Sequence, residues 1–338
     1  MVLAAAGPSV AASAQQLSWH HHSRLQLALE QDSNIKEAAL SLRLLLDAGR
    51  RRQLAKGTVD LSLQGGCQAY WGHADEDKAV GELTVGASWP VADRWAIGTR
   101  ASLRLKTFLR DGPDHAHASL TALAQARLPA RTALALSCTR QWLDYAGSSL
   151  YDAQAWSTEM SVSRALWSSL TATTSCGVGW WSLERPAFAY DSDVKLWRAL
   201  PAPHGDRLIV GGLRVEFHTW GQWAVTYAYE KNKSNSYGYS FSRHRLSLLA
   251  GTQLGPAFLL RTYALLQRKR YAEPPTPALP VDLDTEREQS NMWVVDLSRP
   301  LTDRYTAIFR LARYENESLV RGRYYQKVLI NLSFERRL

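Results

Sequence analysis

The chain is built from segments in which apolar and polar residues alternate one by one. Such alternation runs through residues 94–105, 170–180, 223–230 and 327–334. A period of two is typical of a β-strand whose two faces lie in different environments, because successive side chains point to opposite sides. Runs of about ten residues also match the length that a tilted strand needs to cross a bilayer.

The same pattern predicts sixteen strands along the chain. Two charge-free stretches, 165–183 and 246–260, raise the alternative of membrane helices, which need about 20 predominantly apolar residues. The first is rich in Ser, Thr and Gly, and the second contains Gly251, Gly255 and Pro256. Both therefore fit two strands and a turn better than one helix. The predicted strands lie at 23–31, 38–46, 57–69, 79–89, 94–106, 116–128, 131–142, 153–164, 169–181, 207–218, 222–231, 240–250, 256–268, 290–298, 303–314 and 323–334.

The segments between the predicted strands alternate in length. Short turns follow even-numbered strands, at 90–93, 129–130, 220–221, 255–256 and 300–303. Longer polar links follow odd-numbered strands, at 70–78, 107–115, 143–152, 182–206, 232–239, 269–289 and 315–322. Barrels of bacterial outer membranes have short periplasmic turns and long external loops. The rhythm therefore places the odd-to-even links outside the cell and both termini in the periplasm.

Composition helps to separate a membrane barrel from its rival, a soluble all-β protein. The chain contains 13 Trp and 14 Tyr but only 7 Phe, and Trp and Tyr are enriched at membrane–water interfaces. Alternation alone does not distinguish a membrane barrel from a soluble all-β protein, since a soluble sheet also has one apolar face. Together with the loop rhythm, these features predict an all-β fold. We expect a transmembrane antiparallel up-and-down β-barrel of about 16 strands, within a range of about 14 to 18.

The first residues resemble an export signal. They form a short Ala-rich stretch that ends in Ala12-Ser13-Ala14, the small-x-small pattern that signal peptidase cleaves. We therefore expect a signal-peptide remnant at 1–14 and a single outer-membrane β-barrel domain at 15–338. The expected location is the outer membrane of a Gram-negative cell.

Two segments carry a resemblance to a known group of proteins. Residues 229–245 read YEKNKSNSYGYSFSRHR, a strand, an Asn/Ser loop, a Tyr and a second strand, and residues 31–35 read QDSNI. Both resemble segments of Gram-negative outer-membrane barrels, and the whole chain resembles the barrels of surface lipoprotein assembly modifiers and of polysaccharide-export systems. The resemblance implies the same barrel fold. It also implies that Phe334 in the last strand is the assembly signal read by the outer-membrane assembly machinery.

In each predicted strand, alternate positions share one parity and point to the same face. Basic residues are the main charged residues at the parity opposite to the apolar one. The net charge is +9, and an Arg on the lipid face costs about 2–4 kcal/mol at the bilayer midplane. We therefore expect these residues to face the interior, where a 16-stranded barrel leaves room for an aqueous channel. Alternatively, they only neutralise inward acids or hold a folded-in loop. The predicted lumen-lining basic residues are Arg43, Arg100, Arg104, Arg127, Arg214, Arg243, Arg245, Arg261, Arg310 and Lys327.

Two long links could fold into such a channel. The link 183–206 contains three prolines, and its large or charged residues are candidates for a constriction. The predicted constriction residues are Phe188, Asp191, Asp193 and Trp197. The Pro-rich link 270–289 is a second candidate, although an unstructured surface loop explains it equally well.

No motif for catalysis or nucleotide binding is present. The sequence lacks Gly-x-Ser-x-Gly, a phosphate loop, a dinucleotide fingerprint and His-Glu-x-x-His, and its basic residues follow no nucleic-acid-binding pattern. His20, His21 and His22 alternate between the two faces of a strand, which disfavours one compact metal site. His115 and His117 share a face and give only a weak hint of metal binding. We predict no catalytic residues, no metal, no cofactor and no nucleic-acid partner.

These features favour transport as the function. The leading hypothesis is a porin-like channel or export conduit whose basic lumen favours anionic solutes or acidic polysaccharide. The alternative is a non-conducting outer-membrane component of a multiprotein surface or translocation machinery. Expected partners are outer-membrane lipid and lipopolysaccharide, the outer-membrane assembly machinery, and periplasmic export or motility proteins.

Overall fold

A closed antiparallel barrel of sixteen strands accounts for most of the protein. The computed structural model describes residues 19–32, 38–71, 77–110, 114–147, 149–191, 193–194, 196–273, 290–316 and 326–337. Each strand pairs with its neighbours in sequence, and β1 closes the barrel by pairing with β16. The up-and-down barrel predicted from the alternation is therefore confirmed.

The strand bounds follow the predicted alternation closely over most of the chain. The strands are β1 (Trp19–Asp32), β2 (Ala38–Leu54), β3 (Gly57–Tyr70), β4 (Lys78–Ala92), β5 (Trp95–Phe108), β6 (His115–Leu128), β7 (Thr132–Tyr145), β8 (Ala153–Trp167), β9 (Leu170–Asp191), β10 (Leu196–His218), β11 (Gly221–Ser234), β12 (Phe241–Leu254), β13 (Phe258–Tyr271), β14 (Ser290–Pro300), β15 (Tyr305–Asn316) and β16 (Gln326–Arg337). A 3-10 turn, Ser149–Tyr151, precedes β8. Within the residues described, no helix is long and apolar enough to span a membrane.

The barrel wall has the inverse polarity of a soluble protein. On β1 and β2, large apolar side chains point outward, and Leu25, Leu29 and Leu46 remain 49%, 47% and 54% exposed. Polar residues of the opposite parity, such as Gln26 and Ser41, are buried at 2% and 0% exposure. A continuous exposed apolar surface of this kind is stable against lipid rather than water. The outer face is therefore the lipid-facing surface of an outer-membrane barrel.

The turns after even-numbered strands are tight and lie at one end of the barrel. Between β6 and β7, Ala130 and Arg131 both adopt left-handed backbone conformations, with φ of 56° and 55°. This is the mirror-image turn type whose twist matches two antiparallel strands. Because short turns are periplasmic in outer-membrane barrels, we name this end the periplasmic end and the opposite end the external end.

The prediction was wrong about the link 182–206. It is not a loop but the continuation of two strands, since β9 extends to Asp191 and β10 begins at Leu196. Register shifts on either side of Pro203 interrupt the alternation that would have marked it as strand. The resulting β9–β10 hairpin extends beyond the external ends of the neighbouring strands.

Aspartates join successive strand ends at the external end. The Asp114 Oδ1 accepts the backbone N–H of Phe108 at 2.6 Å, and its carbonyl oxygen accepts the N–H of Ala146 at 2.9 Å. Asp77 and Asp152 make the equivalent pair of hydrogen bonds. Each aspartate thereby links three strands and satisfies an N–H at the end of a ladder. Sequence reasoning missed this repeat, although an aromatic residue precedes each Asp by six or seven positions.

Removing these carboxylates should destabilise the external end. We expect the free energy of unfolding of the triple variant D77A/D114A/D152A to fall by about 3 kcal/mol, since each of the three hydrogen bonds contributes about 1 kcal/mol. The midpoint temperature of the heat-induced shift in gel mobility measures the loss. D93A, in the exposed turn after β4 at the periplasmic end, is the control. Equal midpoints for the triple variant and the parent protein would contradict a stabilising role.

Candidate functional site

The inner wall of the barrel carries the basic residues that were predicted to line a lumen. The basic residues predicted for the lumen lie on the parity opposite to most exposed apolar side chains of their strands, although Leu249 shares the parity of Arg243 and Arg245, and Leu259 that of Arg261. The ladders place them beside one another: Arg104 lies opposite Glu82, and Arg310 lies opposite Asp296. The structure thus brings these side chains to one surface, while their part in conduction stays a prediction.

Most inward arginines of the wall from β10 to β15 are neutralised in place. Glu230 is 2% exposed and accepts the Arg243 Nε–H at 3.0 Å and an Arg245 Nη2–H at 2.6 Å. The two arginines compensate for the free-energy cost of removing the Glu230 carboxylate from water. Further inward ion pairs are Arg214–Glu216, Arg310–Asp296 and, on the closing strands, Arg24–Glu335. Arg261 is the exception, because it makes no ion pair with a described residue.

The wall from β2 to β6 has the opposite character. Arg100, Arg104 and Arg127 are exposed on the inner face, and none forms an ion pair within the described part of the chain. Arg43 donates an Nη2–H to Gln68 Oε1 at 2.6 Å, an uncharged acceptor. The inward cations of this wall are Arg43, Arg51, Lys78, Arg100, Arg104, Lys106 and Arg127, and its inward carboxylates are Asp47, Asp60 and Glu82. We call this surface the basic wall.

An open recess of about 700 Å³ lies in the basic wall. Its lining includes Arg43, Gln68, Lys78 and Arg104. Gly66 lies between them, and a Cβ there would come 2.6 Å from the carbonyl oxygen of Leu44. A larger residue at Gly66 would therefore collide with backbone, so the recess depends on glycine at this position.

Near the external end, inward cations lie over aromatic rings. The Lys106 Nζ is 4.9 Å from the ring centroid of Phe108. On the far side of the barrel, the Lys269 Nζ is 4.2 Å from the ring of Phe241 and 4.4 Å from that of Tyr271. These contacts position the ammonium groups without cancelling their charge.

A buried polar cluster lies inside the base of the β9–β10 hairpin. Arg185 and His204 are 1% and 0% exposed. The His204 Nδ1 accepts the Arg185 Nε–H at 3.1 Å, and its Nε2 lies 3.1 Å from Asp206 Oδ1 and 3.0 Å from Ser234 Oγ. The Tyr239 ring packs against the imidazole with centroids 4.7 Å apart. Burial lowers the pKa of the Arg185 guanidinium, against the opposing effect of Tyr239 and Asp206.

The cluster contains a Ser, a His and an Asp but not the geometry of a hydrolytic triad. In a triad, the Ser and the Asp contact different imidazole nitrogens, so that the His takes the Ser proton while the ionised Asp orients the ring. Here Asp206 and Ser234 share the Nε2 of His204, while Arg185 occupies Nδ1. The arrangement therefore stabilises the hairpin and does not activate a nucleophile.

The residues predicted to form a constriction lie on the β9–β10 hairpin and at its tip. The Phe188 carbonyl oxygen accepts the N–H of Tyr237 at 2.8 Å, and the Trp197 ring packs edge-on against the Tyr237 ring. Asp191 Oδ1 accepts the N–H of Asp193 at 3.0 Å at the tip. These contacts hold the β11–β12 loop against the hairpin, and a role in narrowing the channel stays a prediction.

The remaining predicted sites are placed as follows. Phe334 points outward and is 49% exposed, and its role as an assembly signal stays a prediction. His115 is buried against the Tyr145 ring, with centroids 5.0 Å apart. No group of three potential metal ligands occurs in the described part of the chain. The predicted export signal, residues 1–14, lies outside the described residues, as does most of the Pro-rich link.

Comparison with known proteins supports the fold. No protein-family model matches the chain, and no curated protein matches it in sequence. Among solved structures, OprB of Pseudomonas putida is 7% identical, with a TM-score of 0.55 over 95% of this chain and 94% of that one. OccK2 of Pseudomonas aeruginosa is 10% identical, with a TM-score of 0.45 over 96% and 100% of the chains. A bacterial polysaccharide outer-membrane secretin is 8% identical, with a TM-score of 0.47 over 94% and 98% of the chains. The similarity to OprB confirms an outer-membrane barrel fold.

The buried ion triad should contribute measurably to stability. We expect E230Q to lower the free energy of unfolding by roughly 2–4 kcal/mol, because Arg243 and Arg245 would lose their counter-charge. E159Q is the matched control, since Glu159 also faces inward but makes no ion pair with a described residue. Urea denaturation in detergent followed by tryptophan fluorescence compares the two. A loss as large in E159Q would assign the effect to net charge rather than to the triad.

The His204 cluster should hold the external hairpin together. We expect H204A to lower the free energy of opening of the β9–β10 hairpin by about 2 kcal/mol, because Arg185, Asp206 and Ser234 would lose a buried partner. Hydrogen exchange of the tips of β9 and β10 should accelerate while the rest of the barrel stays protected. H218A, at the exposed periplasmic end of β10, should leave exchange at the tips unchanged. Unaltered exchange in H204A would contradict this role.

Proposed function

We propose that the protein is a porin-like outer-membrane channel that favours anionic solutes. The observation that carries the proposal is the basic wall. Arg100, Arg104 and Arg127 are exposed on the inner face and have no carboxylate partner among the described residues. Cations that are not paired on the wall remain available to attract mobile anions.

The space between the walls supports conduction. Among the described residues, each strand packs closely only against its ladder neighbours, and opposite walls make no extensive contact. Sixteen-stranded barrels are wide enough for an aqueous channel. Because β4 and β12 lie eight strands apart in the closed order, the basic wall faces the wall whose arginines are mostly paired. A solute would thus meet a field that is strongest on one side of the channel.

Larger anions are included in this proposal. An acidic polysaccharide would use the same cations, and the aromatic rings beside Lys106 and Lys269 offer surfaces for sugar rings. The sequence resemblance to polysaccharide-export barrels agrees with such a substrate. Contacts with the assembly machinery and with periplasmic export or motility proteins are part of the same proposal.

A second candidate is a non-conducting component of a surface or translocation machinery. The observation in its favour is the β9–β10 hairpin, whose tip exposes Val194 and Leu196 by 60% and 64%. Apolar side chains held on a rigid external hairpin suit contact with another protein. Conductance separates the candidates, because this alternative requires no open lumen.

Removing the unpaired arginines should reduce anion preference. We expect the double variant R100Q/R104Q to lower the anion-to-cation permeability ratio by about twofold or more. The measurement is the reversal potential of single channels in planar bilayers under a salt gradient. R214Q/E216Q is the matched control, since it removes a pair whose charges cancel, and its ratio should stay that of the parent.

Three outcomes would overturn the proposal. A parent protein that does not conduct favours the second candidate. Cation selectivity in the parent contradicts the attraction of anions to the basic wall. An equal change of selectivity in R100Q/R104Q and in R214Q/E216Q would show that the paired and unpaired arginines are equivalent.

A further inference from the structure

A second concentration of basic residues lies on the outer face of the barrel. Its members are exposed and occupy outward positions near the external ends of β11 and β13 or, on the longer β10, at the same height as the end of β11. They are Arg207, Lys231, Lys233, Arg268 and Arg270. We call them the rim patch.

The ladder registers bring the rim patch together. Arg207 lies directly opposite Lys233 on the adjacent strands β10 and β11. Lys231 lies opposite Ser242 on β12, which in turn lies opposite Arg270 on β13. Because neighbouring strands are about 4.8 Å apart, Lys231 and Arg270 are separated by about 10 Å along this row. The patch is therefore small enough for one multiply charged headgroup.

The outward positions of the strands that carry the rim patch contain no acidic residue. None of the five side chains of the patch forms an ion pair or hydrogen bond with a described residue. No outward position of β11, β12 or β13, or of β10 between 207 and 217, carries Asp or Glu. Asp206, Glu216 and Glu230 lie at inward positions. The acids nearest the patch outside these strands are Glu184, outward on β9, and Glu273, just beyond the end of β13. By contrast, the outward Arg313 on β15 is paired with Glu315.

The layer below the patch marks the membrane interface. Tyr229 and His244 lie opposite each other with ring centroids 5.0 Å apart, and the Tyr227 hydroxyl is 2.8 Å from His244 Nδ1. Below them, the outward Leu246 and Leu266 are exposed by 45% and 60%. Tyr at this position is typical of the aromatic girdle between acyl chains and headgroups. The rim patch is thus at headgroup height on the external leaflet.

We propose that the rim patch binds the phosphate groups of lipopolysaccharide in the outer leaflet. Arg and Lys are the side chains that recognise phosphate, and these five lie above a lipid-facing apolar surface that would contact the acyl chains. A single ligand that carries phosphates at headgroup height and acyl chains below fits both surfaces. The site is separate from the basic wall, which lies on the other face of the barrel.

The test compares two variants of the full-length protein purified in detergent. The patch variant is K231Q/K233Q/R268Q/R270Q. The matched control is R131Q/R164Q/R299Q/R336Q, which removes four exposed arginines near the periplasmic end. Fluorescently labelled lipopolysaccharide, intact or stripped of phosphate with hydrofluoric acid, is titrated against each protein. Gel mobility of unheated samples verifies that each barrel is folded.

We expect the patch variant to bind intact lipopolysaccharide at least about tenfold more weakly than the parent, and the control variant to match the parent. The parent should also bind the phosphate-free form more weakly, and its affinity should fall as salt rises. The salt dependence tests the proposal without any substitution. Equal affinity of parent and patch variant, an equal loss in both variants, or equal binding of both forms by the parent would overturn it. Single-channel selectivity should be unchanged in the patch variant, so the two proposals can fail independently.

Discussion

The need to pair every backbone N–H and C=O group in lipid determines this structure. The bilayer core offers no water, and an unpaired group there costs several kcal/mol, so a sheet that spans it must have no open edge. The ladder between β1 and β16 removes that edge, with partners from His22 opposite Arg337 to Asp32 opposite Lys327. In a closed barrel, alternate side chains of each strand then face the lipid, and the side chains between them face the interior. The exposed Leu25 and the buried Gln26 are neighbours in sequence on opposite faces of the wall.

Closure also determines where charge can go, because the lipid face excludes it at the midplane and the inner wall receives it. The inner wall handles this charge in two ways. From β10 to β15, carboxylates such as Glu230 and Asp296 lie within hydrogen-bonding distance of arginines. From β2 to β6, Arg100 and Arg104 have no such partner within the described residues, although Glu82 lies opposite Arg104 in the ladder. The first wall gains stability from its pairs, whereas the second keeps the unpaired arginines on which the proposed preference for anions rests.

The strands were predictable where lipid imposes the alternation, and they were missed where lipid is absent. Beyond the membrane, the β9–β10 hairpin is stabilised by a different mechanism, in which Arg185 and His204 are buried beneath Tyr239. The alternation of apolar and polar residues does not indicate packing of this kind. Parity likewise predicted that Arg243 faces inward but not that Glu230 neutralises it. That contact depends on the register of β11 against β12, which local sequence does not specify.

The same residue types have different consequences on the two faces, and height along the strand explains why. An outward Arg is stable only at a height where it reaches headgroups and water. Arg207 meets this condition because it lies opposite Lys233 near the external end of β11, and the next outward positions toward the membrane centre, Ile209 and Leu213 among them, are apolar. An inward Arg has no such restriction, so Arg100 and Arg104 occur deep within β5. The basic wall and the rim patch are therefore two separate surfaces, one on the inner and one on the outer face of the barrel. Parity and height along the strand together decide whether a cation lies on the inner wall or at the membrane surface.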